Sequence, residues 1–257
     1  MNRYFVRLAF VGSKFHGWQM QENALSVQQQ LNKAFSIVLK QDIQLTGCGR
    51  TDTGVHAKDF IAHYDFLGHH SRNERLDFIF RLNRFLPGDI VIKEILPVKA
   101  DAHARFSALS RTYEYHINRV KDPFVEGFSY YIFGDLDVDL MNKGAGILMT
   151  STDFSSFSKR KTQVKDNSCS LFFARWELRG DQLVFTIRAN RFLRNMVRAI
   201  VGTLLDLGKG TIDIALLQTI INERSRSAAG FSVPACGLFL TQIEYQQDIF
   251  LPLDNEE

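Results

Sequence analysis

Cysteine is scarce in this chain of 257 residues, and the three present, Cys48, Cys169 and Cys236, stand far apart. Their odd number and wide spacing exclude a disulfide framework, and none belongs to the closely spaced pairs of a structural zinc site. Reduced thiols and no structural metal are the expectation. His56, His63, His69, His70, His103 and His116 show no metal-ligand spacing such as H-E-x-x-H, so they read as structural or surface groups. A run of about 18 apolar residues, the mark of a membrane-spanning helix, is also missing. The opening MNRYFVRLAF sets an Arg at each end of its apolar stretch and lacks a signal-peptide layout, so a cytoplasmic protein is expected. No low-complexity linker and no residue-level repeat divides the chain.

What is present suits a soluble globular protein: 45% of the residues are apolar, and the length allows one large domain or two small ones. The formal charge is +3. Five acids (Glu244, Asp248, Asp254, Glu256, Glu257) and no Lys or Arg lie from residue 244 onward, so the rest of the chain carries +8. A basic body of that kind suits an anionic partner such as nucleic acid, although basic proteins without one exist.

Periodicity supplies the elements. Tyr4, Val6, Leu8 and Phe10 alternate as a strand, and the Gly-punctuated loop GSKFHGW follows. Ser26 with Gln29 is a capping-box signature ahead of the helical spacing Val27, Leu31, Phe35, Val38. A short strand (Ile43, Leu45), the loop GCGRTDTGVHA and a strand at Phe60–Phe66 come next. A helix at Arg75–Phe85 stops before Pro87-Gly88, and Ile90–Val98 reads as a strand. The second half repeats the order: a strand through Tyr113, Tyr115 and Ile117, a helix at Val138–Met149 weakened by Gly144 and Gly146, and a hairpin of Ser170–Leu178 and Leu183–Ala189. Helices at Asn190–Leu207 and Ile212–Asn222 and a strand at Leu238–Tyr245 complete it. The fold class is therefore α+β. Two ferredoxin-like (RRM-like) β-α-β-β-α-β halves are expected, residues 1–104 and 105–257, with joined antiparallel sheets and a central active-site cleft.

The loop G-R-T-D-T-G carries the most suggestive chemistry. It is too polar for a core strand and has a Gly on each side of Arg50 and Asp52, whose side chains would share a face of an extended segment. An Asx-type turn with an incidental Arg is the ordinary reading. Asp52-Thr53-Gly54 is also the D-T-G of aspartic proteases, but those need two carboxylates sharing a proton, and only one D-T-G occurs here. A neighbouring Arg would favour the ionised carboxylate and oppose that sharing.

On the expected helix from Asn190, Arg191, Arg194 and Arg198 fall within an arc of about 60° with no acid interleaved. Such a stripe is commonly a solvated edge. It also suits a phosphate backbone or a carboxylate elsewhere, Asp52 being a candidate. Tyr113 and Tyr115 share one strand face, which is usually core and can instead be a platform for stacking a nucleobase. Lys159, Arg160, Lys161 and Lys165 lie in a Ser/Thr-rich loop, either solvated or phosphate-contacting.

Several segments together resemble the bacterial tRNA pseudouridine synthase A (TruA-type) family. They are G-S-K-F-H-G-W-Q at 12–19, G-R-T-D-T-G-V-H-A at 49–57, N-R-F-L-P-G-D-I at 83–90, H-A-R-F-S-A at 103–108 with R-T-Y-E-Y, D-F-S-S-F at 153–157, N-R-F-L-R-N-M-V-R-A-I-V-G at 190–202 and G-L-F-L at 237–240. They follow the family's order over nearly the whole chain. Val11 stands where the family usually has Asp, and Thr53 where it often has Ala. The resemblance implies isomerisation of uridine to pseudouridine on the 3′ side of the anticodon stem-loop of tRNA, with Asp52 as nucleophile and no cofactor or metal. It implies that Arg50 holds the everted nucleotide, Tyr113 stacks on the uracil, Leu238 packs against the base and Arg198 pairs with Asp52. Arg191, Arg194, Lys159, Arg160 and Lys161 would meet the tRNA backbone. A homodimer whose two clefts clamp tRNA is implied as well. The alternative from another class is an RNA-binding protein without catalysis, for which a lone carboxylate beside phosphates would be repulsive.

Overall fold

The computed structural model describes residues 1–159 and 166–252. It is an α+β protein whose strand pairings are mostly antiparallel, and its chain divides into two compact units, residues 1–109 with 240–257 and residues 110–239.

In the first unit β1 (Asn2–Phe10), α1 (Val27–Leu39), β2 (Thr46–Gly47), β3 (His56–Phe66), α2 (Arg72–Phe85) and β4 (Ile90–Val98) follow one another. β1 lies between β4 and β3, antiparallel to both, and β2 pairs with β3. Alternate residues of β1, namely Tyr4, Val6, Leu8 and Phe10, are buried as their period predicts. They meet Phe60 and Tyr64 of β3 and, through Tyr64, Phe35 of α1. Each such side chain contributes roughly 1.5–3 kcal/mol by leaving water.

Helix ends follow local chemistry. The Ser26 hydroxyl accepts the Gln29 N–H and starts α1. A complete reciprocal capping box, Ser71 with Glu74, starts α2 three residues before the expected Arg75, and Ser71 holds the Glu74 carboxyl below its ordinary range by donating to it from backbone and hydroxyl. α2 stops at Phe85 because Leu86, ahead of Pro87, takes an extended ψ of 151°. The short strand expected at Ile43 and Leu45 is instead Thr46–Gly47, since Leu45 N–H and Ile43 N–H are taken by the side chains of Asn32 and Ser36 on α1.

The second unit contains β5 (Ala108–Asn118), β6 (Tyr130–Tyr131), α3 (Val138–Met149), β7 (Leu171–Arg179), β8 (Gln182–Ala189), α4 (Met196–Gly208) and α5 (Ile214–Glu223), after which β9 (Leu238–Tyr245) crosses into the first unit beyond residue 239 and neighbours β3. β8 lies between β5 and β7, antiparallel to both, and Gly180 at φ +60° makes the two-residue turn of the β7–β8 hairpin. Gly144, which weakens α3 as a helix former, is where α3 meets α4: a Cβ there would lie 2.5 Å from Leu207 Cδ2 and 2.9 Å from Leu204 Cδ2.

α4 corrects one expectation. It begins at Met196, six residues after the expected Asn190, because its N-cap Asn195 sits in the left-handed region at φ +66°, through which a right-handed helix cannot run. Arg191 and Arg194 therefore precede the helix, and the three-arginine stripe does not exist. Only Arg198 lies on α4. Arg160, Lys161 and Lys165 lie outside the described residues.

Candidate active site

Strand register gathers three loops at one end of the first unit. Phe10 stands opposite Ala57 of β3 and Ile90 of β4, so the chain leaving β1, the chain entering β3 and the chain entering β4 emerge side by side. These are the loops of residues 11–18, 48–55 and 86–89.

Asp52 sits on the middle one. Val55 N–H donates to Asp52 O at 3.2 Å, closing a four-residue turn whose third residue, Gly54, has φ +81°. That is the position at which a type II turn takes Gly, so the second glycine of G-R-T-D-T-G is demanded by the backbone. The base of the loop is held by Cys48 N–H donating to Ile61 O at 2.8 Å and by the packing of Gly47 against Trp18 and Phe60, whose rings stack at 4.2 Å. Arg50 and Thr53 are exposed, and Asp52 is half-buried.

The loop after β1 grips this turn along its length. Gly54 N–H donates to Phe15 O at 3.3 Å, and Gly12 N–H donates to the buried His56 Nδ1 at 3.1 Å, which makes that nitrogen the unprotonated acceptor of the ring. A Cβ on Gly12 would lie 2.0 Å from Val55 O, and one on Gly17, at φ +81°, 2.2 Å from Thr51 O. Only glycine allows that approach at either place. Asp89 completes the arrangement: its backbone O accepts from Val11 N–H at 2.9 Å and its carboxylate meets Lys14 Nζ at 2.9 Å. In sequence G-S-K-F-H-G-W reads as a Gly-punctuated loop with no stated partner. Its paired glycines were the signal of close backbone approach.

The second unit assembles the other expected residues around Tyr115. Tyr113 and Tyr115 lie on one face of β5; Tyr115 is fully buried, the ordinary core outcome, and Tyr113 is half-buried with its ring edge-on to Phe192 at 5.1 Å. The Tyr115 hydroxyl donates to Pro234 O at 2.8 Å, and burial raises its pKa far above the usual phenol range. Arg198, in the first turn of α4, donates from Nε to Val233 O at 2.7 Å while Val233 N–H donates to Arg198 O at 3.3 Å. Gly237 packs on the Tyr115 ring and His116 O, which delivers Leu238, only 5% exposed, to the start of β9. Tyr113, Arg198 and Leu238 thus share the surroundings of one tyrosine.

Arg194 and Lys159 are exposed and joined through Lys159 N–H donating to Arg194 O at 3.1 Å; Arg191 is half-buried. Among the described residues no group of three or more His, Cys, Asp or Glu side chains could hold a metal ion, and no helix is long and apolar enough to cross a membrane.

Comparison with known proteins agrees with these motifs. A family model described as tRNA pseudouridine synthase matches residues 148–246. The tRNA pseudouridine synthase A of Porphyromonas gingivalis is 48% identical over 253 residues, covering 98% of this chain and 100% of that protein. The protein of the same name from Bacteroides thetaiotaomicron is 46% identical over 253 residues, covering 97% of this chain and 93% of that one. That of Halalkalibacterium halodurans is 39% identical over 242 residues, with 93% and 90% covered. The chain belongs to the tRNA pseudouridine synthase A family.

Proposed function

We propose that this protein isomerises uridine to pseudouridine in the anticodon stem-loop of tRNA, with the Asp52 carboxylate as nucleophile. The observation that carries the proposal is the Asp52 turn itself, held by a left-handed Gly54 and gripped along its backbone by residues 12–17, in a chain 48% identical to a tRNA pseudouridine synthase A. A nucleophile held in fixed geometry converts a bimolecular attack into an effectively unimolecular one.

In this reading Asp52 attacks the everted uridine at uracil C6 or ribose C1′. The N1–C1′ bond breaks, the uracil turns, a C5–C1′ bond forms, C5 gives up its proton and the enzyme ester is released. Product and substrate are isomers, so no cofactor is called for. Arg50 holds the everted nucleotide, Tyr113 stacks on the uracil, and Leu238 packs against it. Arg198 pairs with Asp52. Eversion costs a few kcal/mol, which stacking and phosphate contacts offset. Arg191, Arg194, Lys159, Arg160 and Lys161 are the candidates for those phosphate contacts. The proposal takes the halves to be ferredoxin-like, for which the orders β4-β1-β3 and β5-β8-β7 speak. A cytoplasmic homodimer acting on tRNA completes the reading.

The test is incubation with unmodified tRNA transcripts, followed by mapping of pseudouridine and by tritium release from 5-tritiated uridine. Product in the anticodon stem-loop is expected. Binding of tRNA with no product on any transcript would leave the non-catalytic RNA-binding reading in its place.

A further inference from the structure

The loop of residues 12–18 grips the Asp52 turn through its backbone, while the proposed reaction assigns its side chains no task. Phe15 O is bonded to Gly54 N–H, and Gly17 lies against Thr51 O, with Asp52 C 3.3 Å from the Cβ position of Gly17. Residues 15 and 17 thus meet residues 54 and 51, which sets residue 16 opposite Asp52 and Thr53. That residue is His16, and its side chain is exposed.

His16 is also fixed by its own backbone: its N–H donates to Leu25 O at 2.8 Å and its O accepts from Gln21 Nε2 at 2.9 Å. Its imidazole therefore stands on a backbone tied by two hydrogen bonds beside the nucleophile's turn, and no group among the described residues hydrogen-bonds the ring. Lys14, the other basic side chain of this loop, is tied to Asp89. Whatever nucleotide forms a bond with Asp52 must carry its sugar and flanking phosphates past the chain opposite. These present oxygen acceptors, and an imidazole offers an N–H donor in either protonation state.

We propose that His16 binds the target nucleotide, donating a hydrogen bond to a ribose or phosphate oxygen of the uridine that Asp52 attacks. The proposal rests on the reading of the protein as a tRNA pseudouridine synthase. It makes His16 a substrate-binding residue, whose loss weakens recognition of the nucleotide and leaves the covalent step in place.

The test compares the parent with His16→Ala and His16→Gln on one unmodified tRNA transcript. The Ala variant is expected to raise KM roughly tenfold, the order of one hydrogen bond to a charged or strongly polar acceptor, with kcat within about twofold. Gln keeps a side-chain N–H and should recover most of the loss. Thermal unfolding of all three should coincide, since the side chain is exposed. The proposal is overturned by KM and kcat of His16→Ala within about twofold of the parent, by a Gln variant as impaired as Ala, or by activity that falls only in step with thermal stability. A parent that forms no pseudouridine on any tRNA overturns the reading of function, and this proposal with it; an active parent beside an unaffected His16→Ala removes this proposal alone.

Discussion

Gly17→Ala puts the clasp around Asp52 to a direct test. Gly17 has φ +81°, and a Cβ there would lie 2.2 Å from Thr51 O. The left-handed backbone costs an L-residue about 1–2 kcal/mol, and overpacking in a tight contact adds about 1–3 kcal/mol. A total of about 2–5 kcal/mol lowers Tm by between about 4 and 20 °C for a chain of this size. To reach an ordinary contact of 3.4 Å or more, the two segments must part by about 1 Å, and a misplacement of that size costs a reaction about 100-fold. kcat for pseudouridine formation should therefore fall by about two orders of magnitude while tRNA binding, measured by filter retention, changes little. Gly49→Ala is the control within the same loop, because nothing lies within 4 Å of its Cβ position and its φ is not in the left-handed region. It should keep the parent Tm within a degree or two. A Gly17→Ala protein that turns over tRNA at the parent rate would refute the claim that residues 12–17 hold the nucleophile in place.

Asp52→Asn should keep tRNA affinity and lose all tritium release from 5-tritiated uridine; persisting release would remove the carboxylate from the covalent step. Arg198→Met should lower kcat for pseudouridine formation while tRNA affinity changes little, and an unchanged kcat would sink the ion-pair role. The same variant loses the Nε donor to Val233 O, so the amides of Ser232 and Val233 should exchange their hydrogens faster than in the parent. Glu114 has its pKa lowered to about 2, first by the hydrogen bond from His116 and then by Arg179. A depressed carboxyl stabilises the fold above its unfolded value near 4.5 and loses that contribution as pH falls toward 2. The stability gap between parent and Glu114→Gln, measured by urea unfolding, should accordingly be open at pH 7 and narrow steadily from pH 5 downward; a gap independent of pH refutes the assignment.

Much of the architecture was legible because it is written in local patterns. Strands Ile90–Val98 and Leu238–Tyr245 and helix Val138–Met149 have the bounds that periodicity assigned them. Their apolar spacing and their Pro, Gly and Asp punctuation act within a few residues. The Ser71–Glu74 box is equally local, and it starts the helix three residues ahead of the Arg75 that periodicity suggests. α4 resisted the same reading: the apolar periodicity runs back through Leu193 and Phe192, and Asn195 in the left-handed region interrupts it.

By itself the sequence determined the element order, the family and the candidate nucleophile, since each rests on residues close together in the chain. Only the tertiary structure decided what holds Asp52. The contacts of Gly12, Phe15 and Gly17 with Val55, Gly54 and Thr51 join segments some forty residues apart, and they exist because strand register sets Phe10 beside Ala57. Packing likewise decided that Gly144 serves a close helix contact and that Tyr115, Pro234 and Val233 anchor the surroundings of Arg198. A glycine's letter announces freedom of the backbone, and the partner that makes this freedom necessary appears only when distant chain is brought against it.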